Sequence, residues 1–478
     1  MNVRVLRIEL RRSVAPWAGA VVLTGALAFL YLVNGAWGRG TTAWTAQWTS
    51  LALWTRALLF YLWPLAVGLG ALQGLRDHRS RMSELLTSTP RPAWHRAAAS
   101  AGTTATTLAS AFALLVLVGG VQVLANTAYT HLGWLPISLV GALFLVAGAV
   151  LGMGIGRALP SALTPPATAM GAFAFTALMN MSLGRTETAA ADGLTTSEPK
   201  QVSLLSPTVD EVHDVFVTLS AAVHVGQTIW LLGMAATGFA LLVAATPRAR
   251  LVALTPVVAG AALALLVLPS DPHRMYVVDA AAAEPVCDGP VCVAGAHRGR
   301  LADLAGPGKE VLRLLHGALG GGAPVSVRES TAVLPEGSLP KWSRTTVLFD
   351  FDDDIIAAAK GDAEGGDAKG GDAKGGELIR ALVAEGIAPT CSPSGWSGTS
   401  GDLAAQDVAA GWVLGDLQPL AGASDAMRDD AVELARPVWK KLRALPRAEQ
   451  LTRIEAMRAA ALSCEGDALE ALKGGAAR

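Results

Sequence analysis

Seven runs of residues without a single Asp, Glu, Lys or Arg, at about 14–33, 57–75, 98–125, 134–156, 160–183, 220–246 and 251–269, constrain this chain more than any other feature. A helix rising about 1.5 Å per residue needs about 20 apolar residues to cross some 30 Å of hydrocarbon, and each run meets that length. No water-soluble core of ordinary size would absorb so many, so the first part of the chain reads as a polytopic membrane domain. The first run follows Arg4, Arg7, Arg11 and Arg12 and ends in Asn34-Gly-Ala-Trp37 without a small-residue cleavage pattern. It is therefore expected to be an uncleaved span.

The net charge of −1 hides two environments. Residues 1–270 carry 16 Lys and Arg against 9 Asp and Glu, whereas residues 271–478 carry 22 against 30. With the N-terminus on the cytoplasmic side, the inner segments hold twelve arginines, and the outer ones hold Arg39, Arg185 and Lys200. Arg56 sits beside the second run, where a long side chain is expected to snorkel to the interface. That bias fixes the N-terminus inside, and seven spans then place the rest of the chain outside. All four cysteines, Cys287, Cys292, Cys391 and Cys464, fall in that outer segment, which agrees with an oxidising compartment. Three pairings are open. The turn residues Asp288-Gly289-Pro290 favour Cys287 with Cys292 across a hairpin, leaving Cys391 with Cys464; four free thiols are the alternative.

The expected organisation is a cytoplasmic N-terminal segment 1–13, a membrane domain 14–269 and an extracytoplasmic domain 270–478 of mixed α/β, mostly helical character. Within the membrane domain, Gly148, Gly152 and Gly156 line one helix face and invite close packing against another helix. The tryptophans Trp37, Trp44, Trp48 and Trp54 read as an interfacial belt. His224 and Gln227 lie one turn apart, and the histidine is read as solvated or bonded to its own helix. Residues 184–219 hold six of the nine acids of residues 1–270 and read as a solvated outer loop. In the outer domain, strands are expected at Met275–Asp279, Val291–Ala294, Pro324–Val327 and Thr345–Phe351. Helices are expected at Arg300–Leu319, Glu377–Glu385, Gln406–Leu417, Ser424–Leu445 and Arg447–Ala461. The five-residue repeat within 358–376 has no apolar residue larger than alanine and reads as a flexible loop.

Chemical motifs are sparse. In "VLFDFDDDII", Asp350-x-Asp352 at a strand end resembles the acidic pair of haloacid dehalogenase-type phosphatases, but Asp354 stands where Thr or Val belongs in that pattern. Asp350, Asp352 and Asp354 are also the one cluster of oxygen ligands for a divalent cation such as Ca²⁺; a solvated acidic helix start is the plainer reading. No zinc-binding His-Glu-x-x-His, Gly-x-Ser-x-Gly elbow or complete phosphate loop occurs, so the chain is not expected to be an enzyme or to carry a cofactor.

Residues 76–97 separate the second and third runs. Arg76 to Leu86 is expected to form a short amphipathic helix that Pro90 and Pro92 end; a lipid-surface anchor is the plain role for it. The stretch Asp77-His-Arg-Ser-Arg-Met-Ser-Glu84-Leu-Leu-Thr-Ser-Thr-Pro90-Arg-Pro also resembles the loop between the second and third spans of ABC-2 type exporter permeases. Arg81-Met82-Ser83 stands where a glycine commonly precedes Glu-Leu-Leu. The resemblance implies a coupling helix in which Arg81, Glu84, Leu85, Leu86 and Pro90 contact a separate ATPase subunit. It further implies a second permease chain, a bacterial plasma-membrane location and transport driven by the partner's ATP hydrolysis, with no nucleic acid involved. The competing expectation is an extracytoplasmic binding, sensor, immunity or enzymatic domain that the helices merely anchor.

Overall fold

A computed structural model describes residues 15–33, 43–79, 92–127, 129–181, 185–189, 195–208, 215–271, 274–332, 338–351, 356, 371–392 and 398–474. The chain divides into two units, with the main boundary between Val277 and Val278.

The first unit is helical. Its elements are α1 (Ala15–Ala28, continued by a π-helical turn Phe29–Val33), α2 (Trp48–Ala57), α3 (Leu59–Gly74), α4 (Ala93–Asn126), α5 (Trp134–Ala158), α6 (Thr164–Met181), α7 (Ala221–Val243), α8 (Pro247–Val252) and α9 (Thr255–Val267). Among the described residues, five helices are long and apolar enough to cross a membrane, and six if α2 and α3, bent by 51° at Leu58, count as one. The candidate missing from that set is the run at 160–183. Its helix α6 keeps only 18 residues, opens on Thr164-Pro-Pro and includes Thr168, Thr176 and Asn180, so it is short and polar for a span. A helix is the natural answer to an apolar chain without hydration, because every backbone N–H finds its carbonyl within the element.

Glycine sets the closest contacts. A Cβ on Gly152 or Gly156 would overlap the carbonyl oxygens of Val67 and Ala71 on α3, and one on Gly148 would strike the Trp63 indole. Helix α3 answers with Gly70 and Gly74, which lie against the carbonyls of Ala149 and Met153. On the other side of α5, Gly154 meets Gly238 of α7. The glycine stripe on α5 is thus half of a reciprocal seam.

Several expectations give way here. Trp44 does not face outward as a ring in a headgroup belt would: it is 2 % exposed and meets Tyr31 edge to face, while Trp48 stacks on Trp134; Trp37 lies outside the described residues. The segment 184–219 is not simply solvated either. A 3₁₀ turn Gln201–Leu205 brings Leu204, Leu205 and Ser206 into buried positions, and Val215, Phe216 and Val217 are buried too. Leucine, valine and phenylalanine outweigh the acids of this loop in those stretches. Its hairpin, β1 (Arg185–Ala189) antiparallel to β2 (Thr195–Pro199), precedes the turn, and the short strands β3 (Val217–Leu219) and β4 (Tyr276–Val278) come later in the chain.

The second unit is mixed α/β. Strands β5 (Pro285–Asp288), β6 (Val291–Ala294), β7 (Ser326–Glu329) and β8 (Thr346–Phe349) form one sheet in that order. The β5–β6 pair is an antiparallel hairpin, and β6, β7 and β8 run parallel. Helix α10 (Leu301–Leu319) crosses over between β6 and β7, burying Leu304, Val311 and Leu315. Then come α11 (Gly371–Ile387), α12 (Ser400–Leu414), α13 (Asp425–Arg443), α14 (Arg447–Ser463) and α15 (Ala468–Lys473). Their shared core joins Val291, Val327, Val347 and Phe349 to Leu382, Val408, Leu442, Ile454 and Leu472. Helix α11 starts at Gly371 and so takes in the last copy of the five-residue repeat, which was expected to be loop. Alanine and lysine are strong helix formers, and extending an existing helix needs no new nucleus. Cys287 bonds Cys292 across the β5–β6 hairpin, and Cys391 bonds Cys464 at the C-terminus of α14.

Candidate functional site

The polar centre of the helical unit is built around Arg56. The residue sits in the last turn of α2, where the helix carbonyls favour a cation. It does not snorkel: the side chain is 1 % exposed. Its Nε donates to the Pro207 carbonyl at 2.8 Å and its Nη2 to Gln227 Oε1 at 2.7 Å. Nη1 is buried and has no hydrogen-bond partner. Gln227, 2 % exposed on α7, donates onward to the Leu204 carbonyl at 3.0 Å. One turn earlier on α7, His224 is half-buried and its Nδ1 also lacks a partner, so that edge of the ring is neither solvated nor bonded to its helix.

The segment that supplies both carbonyls is pinned from several helices. Gln201 Nε2 donates to the carbonyls of Leu265 and Leu268 beside α9. Asn180 of α6 and Ser206 bond the Thr208 hydroxyl at 3.0 and 2.8 Å. Residues 200–208 thus form a strap whose Pro207 carbonyl meets the Arg56 guanidinium and whose Leu204 carbonyl holds Gln227. Neutral dipoles answer a full positive charge here. An arginine stays protonated even when buried, and among the described residues it has no carboxylate partner.

The second unit buries an ionisable pair. His297 Nδ1 lies 2.5 Å from Glu329 Oε1, and Glu329 Oε2 accepts the Ala294 N–H at 2.7 Å. Both side chains are almost wholly buried, and the imidazole meets Phe351 edge to face. Glu329 ends β7 while Ala294 ends β6, so the carboxylate ties the carboxyl ends of two parallel strands together. Enclosed on these sides, the pair acts as a strut.

The residues singled out in the sequence fare unequally. Arg81, Glu84, Leu85, Leu86 and Pro90 lie outside the described residues, as do Asp352 and Asp354. Asp350 directly follows β8, next to buried Phe351. Among the described residues no three His, Cys, Asp or Glu side chains are grouped to hold a metal. Gly148, Gly152 and Gly156 are in the helix seam, and the four cysteines are in two disulfides. The sequence reading missed the Arg56 centre. Its one signal was that apolar residues flank the arginine on both sides, in Leu51-Ala-Leu-Trp-Thr-Arg56-Ala-Leu-Leu-Phe60.

Searches against protein-family models, curated proteins and solved structures return no match to this chain.

Proposed function

We propose that the chain is the membrane-spanning permease subunit of an ABC-type transporter, an exporter of ABC-2 type, powered by ATP that a separate subunit hydrolyses. One observation carries the reading. Helix α3 ends at Gly74, a single helical turn Arg76–Arg79 follows, and α4 resumes at Ala93, so the stretch resembling a coupling helix connects two apolar helices. That is the place where such a loop meets its ATPase in exporters of this type. A close-packed glycine seam between α3 and α5 supports the same reading, because it lets one helix pair move as a unit.

In this reading α6, though short and polar for a span, crosses as well, so that seven spans run through a bacterial plasma membrane from an inside N-terminus. Two permease chains form the working unit, and the disulfide-bonded domain lies outside. Mechanical work enters at 76–97. Closure of the ATPase dimer pushes on Glu84-Leu85-Leu86 and tilts α3 and α4. The test is purification of the chain from its native host in mild detergent, beside the double variant Glu84→Arg with Leu85→Asp. An ATPase recovered with the native chain and lost from the variant is the expected result. Its absence from both, with the chain intact and folded, would overturn the proposal and shift attention to the outer domain as an anchored binding or sensor module.

A further inference from the structure

We infer that Arg56 is the recognition point for the anionic head of an amphiphile, a carboxylate or phosphate carried on an apolar body. Three observations converge on it. The guanidinium is buried, yet its described partners are a carbonyl and an amide, so its charge is solvated but not neutralised. A buried cation without a counter-charge is costly, and in membrane helices such a residue marks a substrate or ion path. Nη1 is buried and unpartnered while Nε and Nη2 are held. The planar fork is therefore fixed in place with one donor unsatisfied, and an oxyanion, whose geometry guanidinium matches better than an ammonium does, would satisfy it.

The surroundings choose the rest of the ligand. Ala52, Leu53, Ile137 and Leu219 form an apolar cluster of the same unit that includes α2, the helix bearing Arg56. A small hydrated anion would have to shed its water into this environment, whereas an amphiphile brings an apolar body that gains by entering. A ligand at Nη1 need not break the bonds to Pro207 and Gln227, but Nη1 is enclosed, so the packing around it must part to admit one. The inference does not depend on a partner ATPase, so either proposal can fail while the other stands.

The experiment uses the full chain in phosphatidylcholine nanodiscs and measures equilibrium binding of laurate, dodecyl phosphate and uncharged dodecanol. Both anions are expected to bind saturably, with dodecanol about tenfold weaker or more, and Arg56→Gln is expected to lose about tenfold in affinity for the anions alone. Repeating the titration with phosphatidylglycerol in the disc distinguishes the sources. Competition by this lipid assigns the site to a bilayer headgroup, and indifference to it assigns the site to a free amphiphile. Gln227→Glu places a carboxylate on Nη2, so it is expected to raise the melting temperature and to abolish anion binding; it carries the test alone if Arg56→Gln fails to fold. Equal anion binding by the native chain and either folded variant, or no preference of the native chain for laurate over dodecanol, would overturn the inference.

Discussion

The two units solve the same packing problem with different materials. The helical unit closes its helices backbone to backbone through glycine, leaves large apolar side chains such as Leu117, Val121, Leu251 and Leu266 exposed, and buries a cation among neutral dipoles. The α/β unit interdigitates leucine, valine and alanine around one core, and it stitches its chain with disulfides and capped helices. Lipid would explain the first set of choices. Apolar surface gains nothing by leaving hydrocarbon, so small residues and van der Waals contact must hold the helices together. In water, side-chain burial supplies the drive and the backbone ends must be satisfied locally.

The largest break in this comparison should come from the long disulfide. Cys391 and Cys464 are 73 residues apart, and closing such a loop restricts the unfolded chain by about 4 kcal/mol at 25 °C, against about 2 kcal/mol for the five-residue separation of Cys287 and Cys292. Cys391→Ser with Cys464→Ser should therefore lower the denaturation midpoint of the second unit about twice as far as Cys287→Ser with Cys292→Ser. Chemical unfolding followed by tryptophan fluorescence would read it. Equal effects would mean that the unfolded unit is already compact around α14.

That contrast also explains what was legible. The second unit announced itself, because periods of 3.6 and 2 mark α10, α13, β6 and β8 in the sequence, and Asp288-Gly289-Pro290 marked the turn that brings Cys287 to Cys292. These are local signals. In the helical unit the apolar runs were equally plain, but the partners within it were not. Arg56 meets Pro207 and Gln227, which lie 151 and 171 residues away, and beside an apolar run a lone arginine reads as a snorkelling one. Gly70 and Gly74 were overlooked for the same reason: a seam has two sides, and only Gly148, Gly152 and Gly156 form a long stripe. The burial of Leu204 and Leu205 could not be seen beneath the acids that dominate their loop.

Asp407 supplies the next prediction. It is buried on α12, its Oδ1 accepts the Leu420 N–H at 2.9 Å, and desolvation raises its pKa to about 6 although that bond and the nearby Arg380 pull the other way. The folded value exceeds the unfolded one, so the group favours folding below about pH 4 and loses that contribution as pH rises through about 6. Asp407→Asn keeps the acceptor and removes the charge. It should stabilise the second unit at pH 8 by at most about 3 kcal/mol and change little at pH 4. Urea midpoints at the two pH values would show it, and a loss of stability at pH 8 would mean that the carboxylate is worth more to Leu420 than burial costs it.

A single methyl tests the glycine seam. Gly152→Ala should cost about 1–3 kcal/mol of the helical unit's stability in detergent, since the added carbon meets the Val67 carbonyl and backbone cannot step aside as a side chain would. Gly171 on α6 has open space around its Cβ position, and there the same change should be neutral or slightly favourable. Thermal melts of both variants would separate packing from helix propensity.

The smallest effect is at the helix ends, and it sharpens the comparison most directly. Thr399 caps α12 in a capping box: its hydroxyl accepts the Asp402 N–H while the Asp402 carboxylate takes the Thr399 N–H at 3.0 Å. Thr399→Ala should cost about 1 kcal/mol. Ser220 stands at the same position of α7, yet its hydroxyl caps nothing and is buried without a hydrogen-bond partner. Ser220→Ala should therefore leave the helical unit as stable or slightly more so, because it removes a desolvated hydroxyl together with no bond. If both substitutions proved equally costly, the two units would follow the same rule at their helix ends, and the difference in solvent inferred from their cores would not extend there.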